Sequence, residues 1–307
     1  MKSPITQQEN TRCLATLHVD EIIKVWDEVL GIDVSAEFNE IDLVKQYKCL
    51  DTDFQFFRPV QAAGGDAFYQ SLEQFDWYYM AEKWEHETAE KDIQQGDRVL
   101  EVGCGKGDFV HRLNQDRNVE AIGIELNSSA VQDAQAKNRN VIRQDLADVA
   151  QSEPNSFDVV CHFQVLEHIS DPMGFLQLCL DCLKPGGCLL ISVPNMAGFI
   201  ADAERDVMNM PPHHMGQWFP STFQCLSDYL PVSLGRIEYE PLAEYHKEWH
   251  RSIRVGAIDG STLLGKIRRS LTFRFLYYVG EIPVLRKLVR GHSQYVCFYK
   301  QDVDEAS

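Results

Sequence analysis

The chain has 307 residues, 44% of them hydrophobic, enough for one large domain and a smaller appendage. Its formal charge of −17 argues against nucleic acid as a partner, because phosphate backbones are bound by basic surfaces. No run approaches eighteen apolar residues and the first residues lack a signal-peptide plan, so a soluble, cytoplasmic protein is expected, with its nine cysteines reduced.

Residues 1 to about 12 are polar and are expected to fray. Val19 to Leu30 carries apolar Ile22, Ile23, Val25, Trp26, Val29 and Leu30 at the spacing of an amphipathic helix, closed by Gly31. Leu43–Tyr47 and Phe54–Phe57 have strand character, and Gly64-Gly65 marks a break. Residues 66–93 read as helices rich in aromatics, Trp77, Tyr78, Tyr79 and Trp84 among them.

From Gln95 strands and helices alternate, with strands predicted at Arg98–Val102, Ala121–Glu125, Val141–Gln144, Phe157–Phe163 and Gly187–Val193. Short apolar strands joined by helical crossovers imply a parallel sheet covered on both faces, an α/β fold. Two late strands, Arg236–Tyr239 and Gln294–Tyr299, flank an insertion over 241–292. Between His250 and Lys300 stand ten Lys or Arg against two acidic residues, a local +8 that leaves −25 for the rest.

The most informative stretch is Val99-Leu100-Glu101-Val102-Gly103-Cys104-Gly105-Lys106-Gly107, a strand that runs into three alternate glycines ahead of a helix. Such a turn exposes unpaired N–H groups and a positive dipole end, and glycine lets a ligand lie against the backbone. Glu125 ends the next strand, 22 positions after Gly103, where a carboxylate can accept bonds from ribose hydroxyls. A nicotinamide dinucleotide and S-adenosylmethionine both satisfy that pattern, although the glycine spacing is G-x-G-x-G rather than G-x-G-x-x-G.

Three later segments separate the two. Gln144-Asp145-Leu146 closes the third strand, Phe157 to Phe163 runs into Gln164-Val165-Leu166-Glu167-His168-Ile169, and Leu183-Lys184-Pro185-Gly186-Gly187 makes a predicted tight turn before a strand. In this order and at these separations, residues 95 to about 240 resemble the class I S-adenosylmethionine-dependent methyltransferases of small molecules. The resemblance implies a Rossmann-like, doubly wound, mostly parallel seven-stranded sheet with an antiparallel last strand. An appendage over 1–60 and an aromatic-rich helical lid over 61–94 would precede a methyltransferase domain over 95–300, with 241–292 as its basic helical insertion.

Carried over residue by residue, Glu101, Gly103, Cys104, Gly105 and Gly107 would line the methionine and ribose part of S-adenosyl-L-methionine. Glu125, with Leu126 beside it, would hold the ribose, Asp145 and Leu146 the adenine, and Phe163 and Gln164 the floor beneath the sulfonium. In this fold the segment ahead of the first strand often covers the methionine end, which makes Tyr78 or Tyr79 the expected aromatic contact. A helix packed on the sheet accounts for the same aromatics. Leu166 and Ile169 are expected in the core, and Glu167-His168 fits a helix-start hydrogen-bond pair as well as a pocket.

Cys13-Leu14-Ala15-Thr16 and Cys49-Leu50-Asp51-Thr52 are similar to the paired Cys-x-x-Cys of an N-terminal zinc segment found in some methyltransferases of this class. Threonine replaces the second cysteine of each pair, so the shape is expected without the metal. Two unrelated buried cysteines are the alternative.

After the fifth strand, Pro211-Pro212-His213-His214 forms a stiff, non-helical segment. Related enzymes commonly turn such a stretch toward substrate, which makes His213 or His214 the expected base or substrate anchor. Two adjacent histidines without further ligands do not make a metal site, so no metal is expected. Residues 263–290 mix Lys266, Arg268, Arg269 and Arg274 with apolar side chains. They suit an anionic membrane surface, a phosphorylated substrate, or pairing with the acidic remainder.

The function expected is methyl transfer to a small molecule or glycan, with a sugar hydroxyl oxygen as the acceptor. The alternatives are a C- or N-methyltransferase of a quinone-like or natural-product acceptor, and a silent cofactor-binding scaffold.

Overall fold

The computed structural model describes the chain except at positions 76, 77, 79, 81, 117, 204, 205, 260 and 302–307. The N-terminal part forms β1 (Thr11–His18), α1 (Val19–Leu30), β2 (Leu43–Cys49) and β3 (Gln55–Arg58), and α2 (Asp66–Leu72) and α3 (Trp84–Ala89) lead on from it. Helix α1 ends where the sequence predicts: Gly31 takes φ 67° and its N–H donates to the Asp27 carbonyl at 2.9 Å. Val19, Ile22 and Trp26 make its buried face, three and four residues apart as helical geometry requires.

The alternating region gives β4 (Arg98–Val102), α4 (Asp108–Asp116), β5 (Glu120–Glu125), α5 (Ser128–Ala136), β6 (Val141–Arg143), α6 (Leu146–Ser152), β7 (Phe157–Phe163), α7 (Pro172–Cys182) and β8 (Leu183–Pro194). Then come β9 (Gly216–Gln217), α8 (Pro220–Cys225), β10 (Val232–Pro241), α9 (Lys247–Gly256), α10 (Leu263–Glu281), α11 (Pro283–Arg286) and β11 (Arg290–Lys300). The main sheet has seven strands in the order β10-β11-β8-β7-β4-β5-β6. Strands β4 to β8 are mutually parallel, and β11 runs antiparallel to both of its neighbours. Alternation along the strands fills both faces: Val99, Val159 and Cys161 pack on one side, Leu100 and Val160 on the other.

The predicted turn at Lys184–Gly187 is a correction. It lies inside β8 as a bulge, because Phe157 pairs with Leu183 while Val159 pairs with Cys188. Gly186 at φ 73° carries the chain through it. Cys179 and Cys182 form a Cys-x-x-Cys spacing on α7, and both are buried in the core.

The appendage is joined to the rest by a shared sheet in the order β1-β2-β3-β9, in which every pairing is antiparallel. Its fourth strand comes from just beyond His213-His214. Cys13 is exposed and Cys49 is buried beside Ser3 and Thr52. Among the described residues no cluster of metal-ligating groups includes either.

The insertion packs through α9, where His250 is buried against Phe199. Helix α10 stands out from the body: Leu263, Leu264, Leu271, Phe275 and Tyr278 are all exposed. Arg254 pairs with Asp202, whereas Lys266, Arg268 and Arg274 make no ion pair among the described residues. No helix among those residues is long and apolar enough to cross a membrane.

Candidate active site

A cavity of about 1500 Å³ opens beside the C-terminal ends of β4, β5 and β7, the edge where parallel sheets bind ligands. Its first wall is the glycine turn. Gly103 and Gly105 take φ 69° and 53°, and a Cβ on Gly103 would sit 2.6 Å from Val165 Cγ2. Glu125 organises the turn beneath: one oxygen accepts from the Gly105 N–H at 2.9 Å, the other from the N–H groups of Leu126 and Asn127 at 2.8 and 2.9 Å. Asp145 caps α6 through the Ala147 N–H at 2.8 Å.

Glu101, Gly103, Cys104, Gly105, Glu125, Leu126, Asp145, Leu146, Phe163, Gln164 and Tyr78 all line this cavity. Gly107 does not. Its φ of 69° serves the turn, and a Cβ there would strike Val141 Cγ2. Tyr79 lies outside the described residues. Glu101 is buried at the base of the turn, and burial pushes its carboxyl up to about 8. Its Oε2 has no hydrogen-bond partner among the described residues.

The second wall is built by segments 45 residues apart. His168 Nδ1 lies 2.7 Å from the carbonyl oxygen of His213. The His213 and His214 rings stack with centroids 4.3 Å apart, and the His168 ring stands edge-on at 4.6 and 4.8 Å. Glu167 Oε1 is 4.0 Å from His214 Nε2. Burial pushes the His168 imidazole down to about 4, holds His213 and His214 well below their ordinary range, and raises Glu167 to about 8. All three rings are therefore neutral near pH 7.

The appendage holds this loop in place. Trp26 Nε1 donates to the Pro211 carbonyl at 3.1 Å, the Gly64 N–H to Pro212 at 2.8 Å, and the Phe57 N–H to Met215 at 3.0 Å. On the other side the Met215 N–H donates to the Glu167 carbonyl at 2.8 Å. His213 and His214 are thus clamped between the small sheet and the turn after β7.

Sequence reasoning did not single out the third wall, formed by Tyr245, His246 and Trp249 of the insertion with His292 and Ser293 of β11. It also missed Glu85 and His86 of α3. Glu85 is buried within 3.4 Å of Gln164 Nε2, and His86 stacks on Phe109 at 4.7 Å. A helix beginning immediately before the first strand was the only available signal for them.

A family model described as a methyltransferase domain matches residues 73–230, just over half of the chain. The ubiquinone biosynthesis O-methyltransferase of Albidiferax ferrireducens is 36% identical over 110 residues, which is 33% of this chain and 42% of that protein. The protein of the same name from Neisseria meningitidis serogroup C is 33% identical over 110 residues, 33% of this chain and 45% of its own length. The chain therefore spans less than half the length of these relatives. The fold is similar to that of a SAM-dependent methyltransferase from Archaeoglobus fulgidus, with TM-score 0.51 and 20% identity over 76% of this chain and 99% of that one.

The chain belongs to the S-adenosylmethionine-dependent methyltransferases of the class I fold. S-adenosylmethionine is the cofactor of that family, and the residues present fit it. An unpartnered buried carboxylate at Glu101 suits a cationic methionine end better than a pyrophosphate, and the Gly103 backbone forms a cradle that a Cβ would fill. Glu101, Gly103, Gly105, Glu125 and Asp145 would hold the group, which supplies an electrophilic methyl on sulfur.

Proposed function

We propose that this protein methylates a hydroxyl oxygen of a small molecule whose reacting part is a flat, hydroxylated ring. The observation that carries the reading is the wall opposite the glycine turn. It is made of Tyr69, Tyr78, His168, His213, Tyr245 and Trp249, side chains that pack against ring faces. The name of the relatives, O-methyltransferases of ubiquinone biosynthesis, supports oxygen as the acceptor atom.

At 1500 Å³ the cavity exceeds the roughly 300–1,000 Å³ of a site for one drug-sized ligand, leaving room for donor and acceptor together. His213 and His214, both neutral, border the part of the cavity where the acceptor hydroxyl would be held. The walls exclude water and align the oxygen with the methyl group, which is most of what an in-line displacement needs.

The test is mass spectrometry of acceptor pools incubated with the protein and deuterated-methyl cofactor. Phenolic or quinol-type acceptors are expected to gain label. Label confined to sugar nucleotides would transfer the reading to glycans, and label on carbon or nitrogen would overturn it.

Helix α10 supports a proposal about placement. Its exposed apolar residues and Lys266, Arg268 and Arg274, which make no ion pair among the described residues, suit the surface of an anionic bilayer by charge, despite the chain's −17. Co-sedimentation with phosphatidylserine vesicles at low salt, lost with neutral vesicles, is the expected result. Absence of binding to both removes this placement.

A further inference from the structure

Of the three histidines at this end of the cavity, His213 and His214 have their tautomers fixed by their neighbours. His168 Nδ1 faces the His213 carbonyl at 2.7 Å and His213 Nδ1 faces the Met208 carbonyl at 2.9 Å. His214 Nδ1 faces Asn209 Oδ1 at 3.1 Å, and that amide is oriented by its own Nδ2, which donates to Asp206 Oδ2 at 2.6 Å. Carbonyl oxygens only accept, so Nδ1 of His213 and of His214 carries the hydrogen and each Nε2 is left with a lone pair, while the His168 ring also meets the Gln164 backbone and can present either nitrogen.

One ring nitrogen from each histidine lies within 4.8 Å of the others. Glu167 is 1% exposed, and neither of its oxygens has a hydrogen-bond partner among the described residues; the same holds for His213 Nε2. Burial keeps Glu167 protonated near pH 7, one proton among several buried acceptors, and a cation that displaced that proton would satisfy the whole group. Ring nitrogens whose opposite N–H is already committed to an oxygen are also the usual arrangement around a bound metal.

We propose that His168, His213 and His214, together with Glu167, form a site for one divalent transition-metal ion at the acceptor end of the cavity. Three imidazoles and one carboxylate suit Zn²⁺, Fe²⁺, Co²⁺ or Ni²⁺ rather than the oxygen-seeking Mg²⁺ or Ca²⁺. Metal–nitrogen bonds of about 2.1 Å require ligand nitrogens about 3.0–3.5 Å apart, so the side chains close in on binding. The half-buried His168 borders the cavity beside Gln164 and Val165, next to the cofactor cradle. An ion there has an open coordination position for the acceptor oxygen. That role rests on the reading of methyl transfer to oxygen; the binding itself does not. The expectation from sequence that His213 and His214 lack further ligands is corrected by the approach of Glu167 and His168.

The experiment uses the full-length protein, stripped with a chelator and dialysed, then titrated with Co²⁺ and afterwards with Zn²⁺. One Co²⁺ per chain, with visible d–d absorption displaced by Zn²⁺, is expected. His168→Asn keeps a donor for the His213 carbonyl and removes the Nε2 lone pair, so it is expected to lose the band. Asn209→Ala, which frees only the His214 ring, is expected to weaken binding about tenfold. Calorimetry with S-adenosylmethionine on the same samples reports whether each variant is folded.

Wild-type protein that binds the cofactor but neither ion overturns the proposal. So does one-to-one ion binding that is unchanged in folded His168→Asn. Ion binding without cofactor binding would instead contradict the methyltransferase reading and leave this site standing.

Discussion

The 2.7 Å contact between His168 Nδ1 and the carbonyl oxygen of His213 ties the turn after β7 to a loop that the N-terminal sheet captures. Neither partner is adjacent to the other in sequence, and the bond fixes the path of the loop. Removing it in His168→Ala leaves the His213 carbonyl only the long 3.5 Å bond from the Tyr69 hydroxyl, with an expected loss of about 1–3 kcal/mol in urea unfolding. His168→Asn retains an N–H donor and is expected to lose less than half of that. Equal losses would mean that the bond carries no weight.

Gly103 and Gly31 make a matched pair, since both have positive φ and only one has a neighbour in the way. A Cβ on Gly31 meets nothing within 4 Å, whereas one on Gly103 strikes Val165. Gly31→Ala and Gly103→Ala are each expected to lose about 1–2 kcal/mol from left-handed backbone strain. Only Gly103→Ala is expected to weaken S-adenosylmethionine binding, by about tenfold or more, equivalent to about 1.4 kcal/mol. Calorimetric titration of both variants checks this.

Glu101 gives a proton-linked signature. Burial raises its carboxyl to about 8, so it is mostly protonated at pH 7 before the cofactor binds. The cationic methionine end favours the ionised form, and binding is expected to release close to one proton, about 0.9 at pH 7. Titrations in buffers of different ionisation enthalpy measure that number directly. Glu101→Gln is expected to bring it near zero.

His162 sets part of the acid limit of stability. It is fully buried on β7, edge-on to Phe175 at 5.1 Å, with no partner for either ring nitrogen among the described residues. Burial pushes it from 6.5 down to about 3. The unfolded chain therefore takes up this proton first, and the stability contribution present above pH 6.5 is lost as pH falls toward 3. Between pH 7 and pH 5 the wild-type protein is expected to lose about 2 kcal/mol more than His162→Leu, read from urea unfolding at the two pH values.

Much of the fold was legible because it is local. Helix α1, its Gly31 stop, β4 and β7 follow from periodicity and turn chemistry within a few residues. The cofactor cradle was legible because its glycines and its acidic strand ends occur in order along the chain. Gly107 stands in the turn between two lining residues, Lys106 and Asp108, without lining the cavity itself. The entry of β8 at Leu183 was hidden because Pro185-Gly186-Gly187 reads as a turn until the sheet pulls it through as a bulge.

The acceptor end was least legible. It depends on β9 joining the appendage sheet, on the His168–His213 contact across 45 residues, and on Trp249 and His292 converging from either end of the insertion. None of these leaves a periodic trace. The Pro211-Pro212-His213-His214 stretch pointed to one side of it, but Glu167 and His168 just after a strand end were explained equally well by a helix-start pair.

The cavity beside the β4 turn is expected to hold S-adenosylmethionine through this chain's own glycines and carboxylates. The decisive measurement is calorimetric titration of the full-length protein with S-adenosylmethionine, beside Gly103→Val and Asp145→Ala. Saturable one-to-one binding is expected in the wild type, abolished by Gly103→Val and weakened by Asp145→Ala. No binding by the folded wild-type protein, or binding unchanged in both variants, would contradict it.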